Sequence, residues 1–348
     1  MAKSPAKPTP DSTDAQAAQV KIQQSPVFAV VINELNLIQD QLLKRQALMR
    51  RIEKALSDRY HAPNRIISYI FRFDHPKAMI TSADIAPLDA VLNSISHAQE
   101  LNVLLHSPGG DGSIIEKIVE MCRGHLPRRD AKLRVIVPNI AKSAATVFAL
   151  GADTIIMGYC SELGPIDPQI RVAVSGIVHF ISALAFVESR DEIMTKIQEA
   201  TKANEPTAAL LQQLAGLNIP FTHEMQNQIN FAEKTAIRLL DKYMLKATIK
   251  KDADRENKAK EVAKKLLSKQ LFPIHGHFIN ADNARDDLEL SVDILDRTDD
   301  LWKLIWEYYI RAEIQMNIPQ APNTVKLKLF ESADHSLITQ DFAKDPAS

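Results

Sequence analysis

Two stretches of this chain hold residue types that can do acyl chemistry together. "HSPGGDG" (106–112) closes an apolar run, and "NIAKSAATVFALGAD" (139–153) follows it. The 348 residues include only ten glycines, yet seven of them fall between Gly109 and Gly164. The pair Gly109 and Gly110 permits positive φ and leaves backbone N–H groups uncovered by side chains. Ser143 stands among small residues (Ala141, Ala144, Ala145) at a predicted strand-to-helix junction, the positive end of a helix. There the N–H of Ala144 and an N–H of the glycine pair would surround a developing oxyanion, as in a nucleophile elbow. Each loop alone also fits a plainer role: a tight turn for the first, an N-cap serine for the second.

The pattern predicts the elements that would carry these loops. Residues 1–26, rich in Pro, Ser, Ala and Gln, read as a disordered tail. A helix follows over 27–62, with Leu35, Ile38, Leu42, Leu43, Met49 and Ile52 near helical spacing. Strands are expected at 65–73, 101–107, 132–140 and 154–158. Helices are expected between them at 82–95 (N-cap Ser82), 113–126 and 143–152. Strand and helix alternating at this period mean an α/β fold with a parallel sheet, and both loops then lie at carboxyl ends of strands. The core is expected over 63–182. A helical region acting as lid or oligomer interface follows over 183–270. The end of the core is placed at 271–297, and a last helix (299–316) and strand (323–330) within 298–348.

Forty-two basic against forty-three acidic residues provide no global field, so neither nucleic acid nor an anionic membrane is expected as a partner. The segment 246–269 holds nine Lys or Arg against four Asp or Glu, and reads as a solvated helix face. Cys122 and Cys160 make no metal spacing and suit a reducing, cytoplasmic setting. The longest apolar run, "IVHFISALAFV" (177–187), is too short to span a membrane.

Together the two loops resemble the Clp protease/crotonase superfamily, whose first loop reads Ser-Pro-Gly-Gly and whose nucleophilic serine opens a later helix. The stretch "LLHSPGGDG…IVPNIAKSAATVFALGADTIIMGYCSELGPIDPQI" is similar to the serine dehydrogenase proteinase family within it. The likeness runs from about Ile80 to Val187 and reappears at "FPIHGHFINADNA". It implies a Clp/crotonase-like spiral of ββα units with a helical insertion and extra N- and C-terminal elements. It also implies Ser143 as nucleophile and an oxyanion hole from Gly109 or Gly110 with Ala144. The activity implied is that of an ATP-independent serine peptidase acting on peptide or protein substrates, with no cofactor, in a homo-oligomer. A crotonase-like acyl-CoA enzyme and a silent scaffold on the same fold are the alternatives.

The base that would activate Ser143 stays open. Clp peptidases place a histidine about 25 residues after the serine, where this chain has "GPIDP"; Asp167 stands there as an orienting or turn-capping acid. Signal peptide peptidase A-like enzymes use a lysine 40 to 55 residues on, which points to Lys196, and less to Lys202. His275 arrives from the region where the Clp triad aspartate enters, and is the other candidate. Lys142 is expected to be a positioning or surface group, and His106 a strand-end residue. His275 and His277 lack an evident third ligand, so no metal site is expected.

Overall fold

The computed structural model describes residues 31, 34, 41–95, 99–128, 130–174, 177–318 and 322–342. The expected tail at 1–26 lies outside them, as do Leu35 and Ile38. The chain runs α1 (Gln41–Tyr60), β1 (Asn64–Phe71), α2 (Ile85–Ser94), β2 (Glu100–His106), α3 (Ile115–Gly124) and β3 (Leu133–Val137). The two-residue β4 (Ile140–Ala141), α4 (Ala144–Leu150), β5 (Thr154–Gly158) and the two-residue β6 (Glu162–Leu163) follow. A hairpin of β7 (Gln169–Val174) and β8 (Ile177–Ser182) leads into α5 (Ala183–Lys202), α6 (Ala208–Ala215), α7 (Ile219–Lys242) and α8 (Asp252–Leu267). β9 (Val292–Leu295), α9 (Asp300–Asn317), β10 (Thr324–Ser332) and β11 (Ser336–Phe342) complete it.

Side-chain alternation in the strands decides the layers. Ile67, Tyr69 and Phe71 of β1 join Leu101, Val103 and Leu105 of β2 in one buried cluster, and Ile66, Ile70 and Leu104 join another. Strands apolar on both faces belong in a sheet covered on both sides. The central sheet has the order β11-β10-β1-β2-β3-β5-β9. Neighbours from β1 to β9 are parallel, whereas β10 and β11 are antiparallel. Helices α2, α3, α4, α7 and α8 cover one face. Helices α1 and α9 cover the other, with Trp302 packed so closely on Gly158 that a Cβ there would overlap its indole ring.

Several elements differ from the sequence expectation. The 82–95 segment opens with a 3-10 turn at Ser82–Asp84, and its N-cap is Thr81 rather than Ser82. The Thr81 N–H donates to the Asp84 carboxylate (3.0 Å), which also accepts from Tyr69 Oη (2.5 Å) and pairs with Lys328. The expected strand 132–140 breaks after Val137, and β4 forms its own pair with β6. The β7–β8 hairpin and β11 were not anticipated. The apolar run at 177–187 crosses a boundary at Ser182, whose hydroxyl accepts the N–H of Ala185 (3.4 Å) to cap α5. Residues after 298 are built into the sheet through β10. There a buried ion pair between Arg45 and Glu331 (2.8 Å) ties β10 to α1. Among the described residues no helix is long and apolar enough to cross a membrane.

Candidate active site

The two loops meet at the carboxyl ends of β2 and β3. The N–H of Ser107 donates to Ile140 O (2.9 Å) and that of Lys142 to Ser107 O (3.1 Å), which sets the loops side by side. From the other flank, Ile80 N–H donates to Gly109 O (2.8 Å) and Asp111 N–H to Ile80 O (2.9 Å). Only glycine fits between these neighbours. Gly109 has φ +103° and Gly110 φ +149°. A Cβ on Gly109 would lie 2.8 Å from Ser143 Cβ, and one on Gly110 would overlap the Ile80 backbone. The diglycine turn therefore lies in contact with Ser143.

Ser143 itself has φ +52° and ψ −120°, a region that costs a non-glycine residue roughly 1–3 kcal/mol. Strain of this kind aims a hydroxyl out of a strand-to-helix turn. The Ser143 hydroxyl caps nothing in α4, which removes the N-cap reading. The glycine loop divides its donors: Gly109 N–H is taken by Ser107 Oγ (3.1 Å). The N–H groups of Gly110 and Ala144 have no acceptor among the described residues. The free pair is thus Gly110 with Ala144.

A cavity of about 560 Å³ opens on Ser143 and is also lined by Gly110, Ala144 and His275. Its walls include Met79, Val147, Ile166, Phe180, Phe231 and Ala232. The last two come from α7, so the helical region supplies one wall. His275 Nδ1 lies 2.7 Å from Asp167 Oδ1, which leaves the imidazole Nε2 for another partner. Asp167 is almost fully buried and its other oxygen accepts from Gln169 Nε2 (3.0 Å) and Lys269 Nζ (3.2 Å). Burial would raise this carboxyl. The hydrogen bonds from His275 and the Ser182 hydroxyl and the Lys269 charge outweigh it and hold Asp167 well below the usual carboxylate range.

The remaining candidates stand elsewhere. Lys196 is exposed on α5, paired with Glu192 (2.7 Å), and does not line the cavity. An i,i+4 pair on a solvated helix face explains its spacing without catalysis. Lys202 is exposed near the end of the same helix. Lys142 is no surface group. Its Nζ is buried, donates to Leu163 O (3.2 Å) and His277 O (2.9 Å), and pairs with Glu162 (3.1 Å). Burial pushes its ammonium below the ordinary lysine range, against the Glu162 carboxylate. Lys142 therefore does not line the cavity on which Ser143 opens, and it ties down the loop that bears His275 through His277 O. The His277 ring packs on Phe272, and His106 is buried against Tyr309, its imidazole pushed down to about 4 by burial.

Sequence reasoning missed Lys269 and Ser182 around Asp167. Lys269 ends a basic run that reads as solvated, and nothing in its spacing singles it out. Asp167 was available at the right loop, but its pairing with His275 spans 108 residues.

Comparisons with known proteins place the chain. It is 24% identical over 249 residues to the uncharacterized protein MJ1495 of Methanocaldococcus jannaschii, covering 70% of each chain. A second protein of that organism, MJ0137, is 30% identical over 125 residues, which span 36% of this chain and 42% of the relative. Among solved structures, a serine-to-alanine variant of the 1510-N membrane-bound stomatin-specific protease aligns at 18% identity and TM-score 0.26, over 38% of this chain and 63% of that one. A lysine-to-alanine variant of that protease with a substrate peptide aligns at 16% and 0.25, over 67% and 95%. The family model of the ClpP-like SDH-type serine proteinases matches residues 25–216, and the chain belongs to that family.

Proposed function

We propose that this protein is a serine peptidase that cleaves through an acyl-enzyme on Ser143, with His275 as general base and Asp167 as the group that orients it. The observation that carries this reading is the Asp167–His275 hydrogen bond (2.7 Å) at a cavity shared with a strained, uncapped serine. His275 Nε2 takes the Ser143 proton as Oγ bonds to the peptide carbonyl carbon. The N–H groups of Gly110 and Ala144 hold the oxyanion, each donor worth roughly 3 kcal/mol of barrier. The C–N bond then breaks, the proton passes from His275 to the leaving amine, and water releases the acyl group by the reverse roles. The reaction balances with water alone.

The apolar cavity walls favour an apolar side chain of the substrate. Exposed Leu211, Ile219 and Met194 on the helical region support assembly of several copies. The test is hydrolysis of an unfolded protein and of peptides with a leucine or an aspartate before the cut. The expected outcome is cleavage after leucine that Ser143→Ala abolishes. Equal turnover by Ser143→Ala would remove the reading.

A further inference from the structure

A second cleft lies beyond the other ends of the helices that frame the first. It has a volume of about 850 Å³ and lies between the C-terminal end of α3, the loop after it and the end of α7. Six cations line it against three carboxylates. The carboxylates are already engaged: Asp153 by Arg123 (2.6 Å) and Lys132 (3.2 Å), Glu120 by Lys242 (2.5 Å) and Tyr243 Oη (2.7 Å), Asp130 by Arg128. Lys246 and Lys250 have no anionic partner among the described residues. The Arg128–Asp130 contact is long (3.5 Å) and exposed on both sides, so it competes weakly.

We propose that this cleft binds a compact polyanion carrying several phosphate groups, an inorganic phosphate chain or the triphosphate of a nucleotide. Two free ammonium groups and a loosely held guanidinium, in a lining with six cations against three carboxylates, match a ligand with three or more charges in a confined space. An extended polyanion such as nucleic acid fits less well, because the cationic lining is confined to one cleft while the chain as a whole carries a net charge of −1. The phosphates bind without being transferred.

The site has a route to the other cavity. Helix α7 lines the catalytic cavity with Phe231, Ala232 and Thr235, and this cleft with Lys242 and, just past its end, Tyr243. The ion pairs Arg238–Glu116 (2.5 Å) and Lys242–Glu120 clamp it to α3, whose N-terminal turn borders the glycine loop. A phosphate that draws Lys242 from Glu120 would loosen that clamp. This coupling rests on the peptidase reading; the binding does not.

The experiment is titration calorimetry of inorganic tripolyphosphate, with ATP and a single-stranded oligonucleotide as further arms, on Ser143→Ala and on the doubly substituted Lys246→Glu, Lys250→Glu protein. Saturable one-site binding is expected. It should weaken at least tenfold in the double variant and at raised salt, with circular dichroism unchanged. Equal affinity for ATP and tripolyphosphate would place the recognition in the phosphates, as proposed. No saturable binding, an unchanged double variant, or tighter oligonucleotide binding would overturn the site. In the protein with Ser143 intact, tripolyphosphate is expected to change the fluorophosphonate labelling rate at least twofold. An unchanged rate with intact binding would overturn the coupling alone.

Discussion

Replacing Asp167 by Asn removes one charge from the proposed site while keeping its shape. The Asp167 side chain is 2% exposed and lies 2.7 Å from His275 Nδ1. When His275 accepts the Ser143 proton, a full positive charge forms about 4 Å from the carboxylate centre. At an effective dielectric of 20 that pair is worth about 4 kcal/mol, or a factor of roughly 10³ in rate. The charge exists only as the transition state is approached, so the loss should fall on kcat and leave KM within about threefold. The second-order rate of covalent labelling by a fluorophosphonate reports the same loss without requiring a known substrate. Asn also deprives Lys269 of its partner, so a thermal melt must accompany the rate. Lys269→Met separates the two effects: it keeps the Asp167–His275 bond and should retain labelling within about tenfold of the parent. A folded Asp167→Asn protein that labels within tenfold of the parent would refute the orienting role.

Three further predictions follow from single residues. Gly110→Ala would force a Cβ into the Ile80 backbone at φ +149°, so it should lower Tm and slow labelling by at least about 100-fold, the cost of one misplaced oxyanion donor. Lys142→Met keeps the buried stem and deletes the ties to His277 O and Leu163 O. Labelling should slow by roughly 10–100-fold through misplacement of His275, with partial recovery in Lys142→Arg. His106 is held at about 4 in the folded protein and titrates near 6.5 when unfolded, so the unfolded chain binds the extra proton between these values. Denaturant melts should show stability falling by up to about 3 kcal/mol as pH drops from about 6.5 to about 4, a slope that His106→Gln should flatten.

How much of this is legible in the sequence depends on how local each signal is. β1, β2, β3 and β5 carry apolar residues on both faces, so their strands and the parallel sheet follow from pattern alone. Ser143 and the glycine pair are equally local, because the strain and the close approach are written into residues 106–112 and 139–153. The choice between Lys196 and His275 was not legible, because the placing of each depends on tertiary contacts. The family resemblance puts histidine soon after the serine and the acid later. Here Asp167 occupies the earlier place and His275 the later one, in the chain order Ser…Asp…His. Spacing favoured Lys196, yet helical phase turns that residue to solvent. The cap at Thr81 and the burial of Lys142 were likewise invisible, since each is fixed by a partner distant in sequence: Lys328 at Asp84, His277 O at Lys142. Strand β11 escaped because its residues are half exposed and it gains its place only by pairing with β10.

In the proposed mechanism His275, and no lysine of α5, activates Ser143. Intact-mass and peptide mapping after fluorophosphonate treatment of the parent, Ser143→Ala, His275→Ala and Lys196→Ala proteins tests this directly. The expected result is one adduct on Ser143 of the parent and none in Ser143→Ala. Labelling should be slowed by at least about 10³ in His275→Ala, and Lys196→Ala should be indistinguishable from the parent. An adduct that forms at the parental rate in His275→Ala, or that maps to another residue, would contradict it.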